Sequence, residues 1–134
     1  MTPLIILALV LAALSTSQST VQGHALYYSP NVMQRVYATR VKQGLVAPGW
    51  YGGLAAVPSC SHIGEVVSAS FLNPHTHAWT PYRRMLVVDC AQPYHYAMQI
   101  RTGRAIEADW GTAKWAGFTD VGKTKARVIY GGNE

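Results

Sequence analysis

In this chain of 134 residues, 11 Lys and Arg outnumber 6 Asp and Glu, giving a net charge of +5. Charged residues make up only 13% of the chain and none precedes residue 24, which excludes a disordered polyelectrolyte. The basic residues are dispersed, with no run longer than Arg83-Arg84, so no nucleic-acid partner is expected. The net charge still suits an anionic surface, such as a cell-wall polymer or anionic lipid.

Leu4 to Leu14 (LIILALVLAAL) is an apolar run of 11 residues followed by the polar stretch Ser15 to Gln22. A membrane-spanning helix needs about 20 apolar residues, so this run has the length of a signal-peptide core and not of a span. Small residues frame two cleavage positions, Val21-Gln22-Gly23 before His24 and Gly23-His24-Ala25 before Leu26. The expectation is a signal peptide over 1–23 and a single secreted or envelope domain over 24–134. No membrane span should remain after cleavage. The domain, of about 110 residues, is of ordinary single-domain size.

Ala25 to Tyr28 reads as a first strand, stopped by Ser29-Pro30-Asn31. Asn31 to Lys42 carries Val32, Val36 and Val41 with Arg35 and Arg40 opposite, the spacing of a short amphipathic helix or an irregular loop. Gly44 to Gly53 (GLVAPGWYGG) is loop by its four Gly and one Pro. Glu65 to Phe71 is β-rich, and Asn73 to His77 is turn chemistry. Met85 to Val88 (MLVV) has the continuous apolar character of a strand buried on both faces. Gln92 to Met98 alternates less cleanly. Asp109 is a good N-cap for Trp110 to Ala116, with Gly117 as its stop. Lys125 to Tyr130 reads as a closing strand. Short strands, many turns and little helix predict a compact, mainly β barrel. In an exported chain the only two cysteines, Cys60 and Cys90, are expected to pair, closing a loop of about 30 residues.

From Arg84 to Tyr130 the order of these features resembles the rare lipoprotein A-like family, whose barrels are related to those of expansins. That family shows an apolar strand ending in Asp and a Pro-containing turn. A Gly-Arg-x-Ile-Asp-Leu-Ser segment then opens a short Ala-rich helix, and a Val-rich strand closes the barrel. Here Met85 to Asp89, Pro93, Gly103 to Asp109, Ala116-Gly117, Gly122 and Ala126 to Tyr130 stand in that order. Upstream, Tyr27-Tyr28, Leu54 to Ala56 and Ile63-Gly64 resemble the family's first two strands more loosely. The resemblance implies a six-stranded double-psi β-barrel with one or two short helices, to which the expected Cys60–Cys90 pairing adds one disulfide.

The resemblance also implies an activity. Some members cleave peptidoglycan as lytic transglycosylases, and the Asp matching Asp89 is implicated. A carboxyl group at the end of an apolar strand would be partly desolvated, which favours the protonated form that donates to a glycosidic oxygen. The competing reading makes Asp89 a cap for the turn at Ala91 to Pro93. The chain departs from active members in two ways. No Asp or Glu lies between His24 and Gly64, and Val57 follows the Ala-Ala pair where those members carry His. His62 could replace that His only if the disulfide loop folds it back.

Trp50, Tyr51, Trp79, Tyr82 and Tyr94 fall in loops or at strand ends, where flat faces can stack on sugar rings. His75-Thr76-His77 alone is a weak metal signal, so neither metal nor cofactor is expected. The expected function is therefore binding of cell-wall polysaccharide by a monomer, with lytic transglycosylase chemistry through Asp89 if the chain is an enzyme. One alternative is a non-catalytic, expansin-like carbohydrate-binding module. Another is a copper-dependent polysaccharide oxidase, which would require cleavage to leave His24 at the terminus.

Overall fold

The computed structural model describes residues 18–131; the apolar run Leu4 to Leu14 lies outside them. Six strands form a closed barrel in the order β1-β5-β2-β4-β3-β6. They are β1 Ser19–Tyr27, β2 Gly53–Val57, β3 Val66–Phe71, β4 Arg83–Cys90, β5 Arg104–Ala108 and β6 Thr124–Tyr130. The β1/β5 and β2/β4 pairs are parallel and each needs a crossover, while the other four pairs are antiparallel. This is the closed mixed barrel expected of the double-psi class, and the Cys60–Cys90 disulfide is formed.

Among the described residues three α-helices decorate the barrel, one more than the upper expectation: α1 Val32–Lys42, α2 Pro93–Arg101 and α3 Trp110–Ala116. The additional one is α2, which replaces the poorly alternating segment after β4. Its only buried residue is Gln99, so burial imposes no apolar stripe for periodicity to reveal. Its start signal was Pro93 at the first helical turn, where a missing N–H costs nothing.

The apolar run of β4 splits by alternation. Met85 and Val87 enter the barrel interior, and Leu86 and Val88 face outward beneath α1. β2 divides in the same way, with Ala55 and Val57 inside and Leu54 and Ala56 outside. Met33, Val36, Tyr37 and Val41 form the helix face that covers these outward residues. Inside the barrel Phe71, Phe118, Ile106 and Val128 pack among alanines, because six strands enclose too little space for a large side chain at every position.

The start of β1 lies upstream of its expected position. Ser19 through Ala25 pair antiparallel with Tyr130 through Thr124 of β6. The expected boundary after Gly23 therefore falls in the middle of a strand, and the polar stretch assigned to the leader supplies half of it.

Candidate functional site

A cavity of roughly 510 Å³ opens on the outer barrel wall between α1 and α2. Two of its lining residues, Asp89 and Glu107, stand on a single rung of the sheet. Ala56 of β2 pairs with Asp89 of β4 on one side and with Glu107 of β5 on the other. Residues on one rung project to the same side, so two carboxylates flank a methyl group, with Cα atoms about two strand spacings (~9–10 Å) apart. A bulge between Ala55 and Ala56 skips Val88 and brings Asp89 into this rung.

Asp89 is held from two directions. The Tyr28 hydroxyl, just beyond β1, donates to Oδ2 at 2.7 Å, and the Arg40 guanidinium of α1 donates to Oδ1 at 3.1 Å. Arg40 is itself fixed by a bond from Nε to the Val88 carbonyl at 2.9 Å. Asp89 thus spends its oxygens on a phenol and a guanidinium, and no bond to the turn at Ala91 to Pro93 supports the capping reading. Burial is the main cause holding the Tyr28 hydroxyl in its protonated form, with Asp89 reinforcing it through the hydrogen bond and its charge. Glu107 has weaker support: its nearest cation is Arg104 Nη1 at 3.9 Å. Burial raises the pKa of Glu107 above the ordinary carboxylate range; the charge of Asp89 adds to the shift and that of Arg104 opposes it. The cavity therefore contains one carboxylate bound as an acceptor and one carboxyl group biased toward keeping its proton. His95 and Gln99 of α2 and the disulfide line the remainder.

His62 is not in this cavity. It sits in a 3-10 turn over Cys60–His62, with Nδ1 3.0 Å from Glu65 Oε1 and its ring 4.5 Å from that of Tyr130. It lines a neighbouring depression of roughly 250 Å³ with Val21, Tyr96, Ile100 and Tyr130. The two hollows share Arg104 as a wall. The Tyr130 pKa is pushed up to about 12, chiefly by burial and secondarily by the Glu65 charge, so the ring presents a neutral hydroxyl.

The structure disperses the candidate sugar-stacking aromatics. Trp50 and Tyr51 precede β2, and Tyr82 precedes β4, at the starts of two parallel strands. Asp89 lies near the far end of β4, six residues beyond Arg83 and about 20 Å along the strand. Trp50 is partly buried against the outer core; its Nε1 donates to the Gly53 carbonyl at 2.8 Å, and the Arg84 guanidinium lies 5.7 Å from its ring. Trp79 carries Arg127 over its ring at 3.9 Å and lines a separate hollow with His24 and Lys125. Tyr51 is 96% exposed and Tyr82 about half exposed. Only Tyr94, on α2 against His95 at 4.1 Å, adjoins the Asp89 cavity.

Sequence reasoning missed Arg40, Tyr28, Gln99, Arg104 and the placing of Glu107 on the same rung as Asp89. The one available signal was that Glu107 occupies the Asp position of the Gly-Arg-x-Ile-Asp-Leu-Ser segment. Asp109, two residues on, is buried and structural. It caps α3 through the Thr112 amide at 3.1 Å and also accepts from the Leu54 amide at 2.9 Å. Among the described residues no three His, Cys, Asp or Glu side chains converge as metal ligands, and His75 pairs with Asp120 at 3.0 Å. No protein-family model and no curated protein matches the chain.

Proposed function

We propose that this chain is an exported envelope protein of the rare lipoprotein A-like type. In this reading the cavity lined by Glu107 and Asp89 holds a peptidoglycan glycan strand. The observation that carries the proposal is the pair of carboxyl groups on one rung, because glycosidic-bond chemistry needs acids positioned around a sugar. The second hollow across Arg104 supports a polymeric ligand. Its Tyr96 and Tyr130 faces suit the next sugar, and the amide and guanidinium groups of the first hollow suit hydroxyls and acetamido groups.

The two carboxyl groups have different roles. Glu107, whose burial favours its protonated form, donates to the glycosidic oxygen as the bond to the anomeric carbon breaks. Asp89, kept in place by Arg40 and Tyr28, faces the positive charge that develops on the sugar. The resulting Glu107 carboxylate then takes the proton of the sugar's own 6-hydroxyl as that oxygen closes on the anomeric carbon. An anhydro end forms, and no water is added. A second reading is a non-catalytic module that uses the same two hollows. It is favoured by the engagement of both Asp89 oxygens within the protein.

Incubation of purified protein with peptidoglycan, followed by sedimentation and mass spectrometry of released fragments, tests both readings. The expected result is binding, with anhydro-ended release reduced about 10²–10⁴-fold in Glu107→Gln, the usual share of general acid catalysis. Binding without release from the parent protein selects the module. Absence of binding overturns the glycan reading.

A further inference from the structure

We infer that the leader is cut upstream of Ser19, so that the mature protein keeps the whole of β1. The inference rests on the export reading above and identifies the site of processing. Of the seven register pairs that join β1 to β6, five involve residues 19 to 23. Cleavage after Gly23 would leave only His24 and Ala25 against β6. The β6 backbone from Ala126 to Tyr130 would lose its partners on that side, and the closed barrel would become an open sheet with a free edge. Cleavage after Ala25 would also remove a fully buried core residue.

Gly23 carries a second, independent mark of belonging to the folded domain. A Cβ at this position would collide with the backbone carbonyl oxygen of Gly103, and the adjacent His24 amide donates to that same oxygen at 2.8 Å. A close backbone approach that only glycine permits has a purpose inside a barrel and none in a discarded leader. Ser19 and Val21 have a further use, because both line the hollow shared by Tyr96 and Tyr130. Small residues at the spacing a signal peptidase reads also occur earlier. They are Ala13 and Ser15 before Thr16, and Ser15 and Ser17 before Gln18, both immediately after the apolar run.

With such a cut His24 is an interior strand residue whose backbone nitrogen is an amide donating to Gly103. It then lacks the terminal amine that a copper-binding amino-terminal histidine must contribute, and the oxidase alternative falls with it.

The test is export of the full chain from its own leader, followed by intact mass and amino-terminal sequencing of the folded product. The expected terminus is Thr16 or Gln18. A terminus at His24 or Leu26 overturns the inference but leaves export standing, whereas a product retaining Met1 overturns both. A second arm uses Gly23→Ala in the same full chain. If Gly23 is retained, the exported variant should melt about 5 °C or more below the parent, or fail to accumulate folded. An unchanged melting temperature overturns the inference.

Discussion

Glu107 and Asp89 flank the same rung, yet their surroundings treat a negative charge differently. Asp89 has a guanidinium and a phenol within hydrogen-bonding distance, whereas Glu107 has burial, a neighbouring carboxylate and a cation 3.9 Å away. The consequence for stability has a definite sign. The pKa of Glu107 is higher in the folded than in the unfolded chain, so above about pH 4.3, the ordinary Glu value, the folded state holds the proton more firmly. Stability from this group is fully present below that pH and is lost as pH rises through the folded value. Glu107→Gln removes the titration. Urea unfolding of parent and variant from pH 4 to pH 8 should show the variant gaining on the parent as pH rises, then a constant difference. A pH-independent gap would contradict the assignment. If Glu107 is the proton donor, glycan release by the parent should decline over the same interval.

At the scale of elements, α3 depends on one side chain. Asp109 accepts from Thr112 N–H, Thr112 Oγ1–H and Leu54 N–H, so it starts the helix and ties it to β2. The helix has only seven residues, too short to persist without tertiary support. It ends at Gly117 in the left-handed region, φ 88°, where the chain turns to bury Phe118. Asp109→Ala removes the cap and leaves two buried amides without partners. The expected loss is about 2–4 kcal/mol by chemical denaturation, of which the cap alone accounts for about 1 kcal/mol. A loss below 1 kcal/mol would mean that water replaces the carboxylate and that the tie to β2 contributes little.

For the molecule as a whole, the cross-link between Cys60 and Cys90 fastens the turn after β2 to the end of β4 across 30 residues of chain. The loop it closes contains all of β3, and both cysteines lie on the rim of the cavity. The Cys60→Ser/Cys90→Ser double variant is expected to lose about 2–4 kcal/mol, mainly through the larger freedom of its unfolded chain. Urea denaturation of parent and double variant measures the difference. A loss under 1 kcal/mol would show that the barrel's own hydrogen bonds already hold this loop in place.

Much of this architecture follows from local chemistry visible in the sequence. The two-faced burial of β4 is written in an uninterrupted MLVV, the start and stop of α3 in Asp109 and Gly117, and the disulfide in a chain with just two cysteines. These signals are short-range: a strand's pleat, a helix cap and a left-handed stop each need only a few neighbouring residues. The site was legible only in part, because Asp89 could be picked out but its partners could not. Arg40 lies 49 residues away and Tyr28 61 residues away, and Glu107 reaches Asp89 only through Ala56 of a third strand. The aromatics of Trp50, Tyr51 and Tyr82 carried no signal of which end of their strands they occupied. Nor could the polar stretch before His24 reveal itself as a strand, since its partner is β6, more than 100 residues on. Strand pairing across such separations depends on barrel closure, and only the tertiary structure decides which distant backbones satisfy one another.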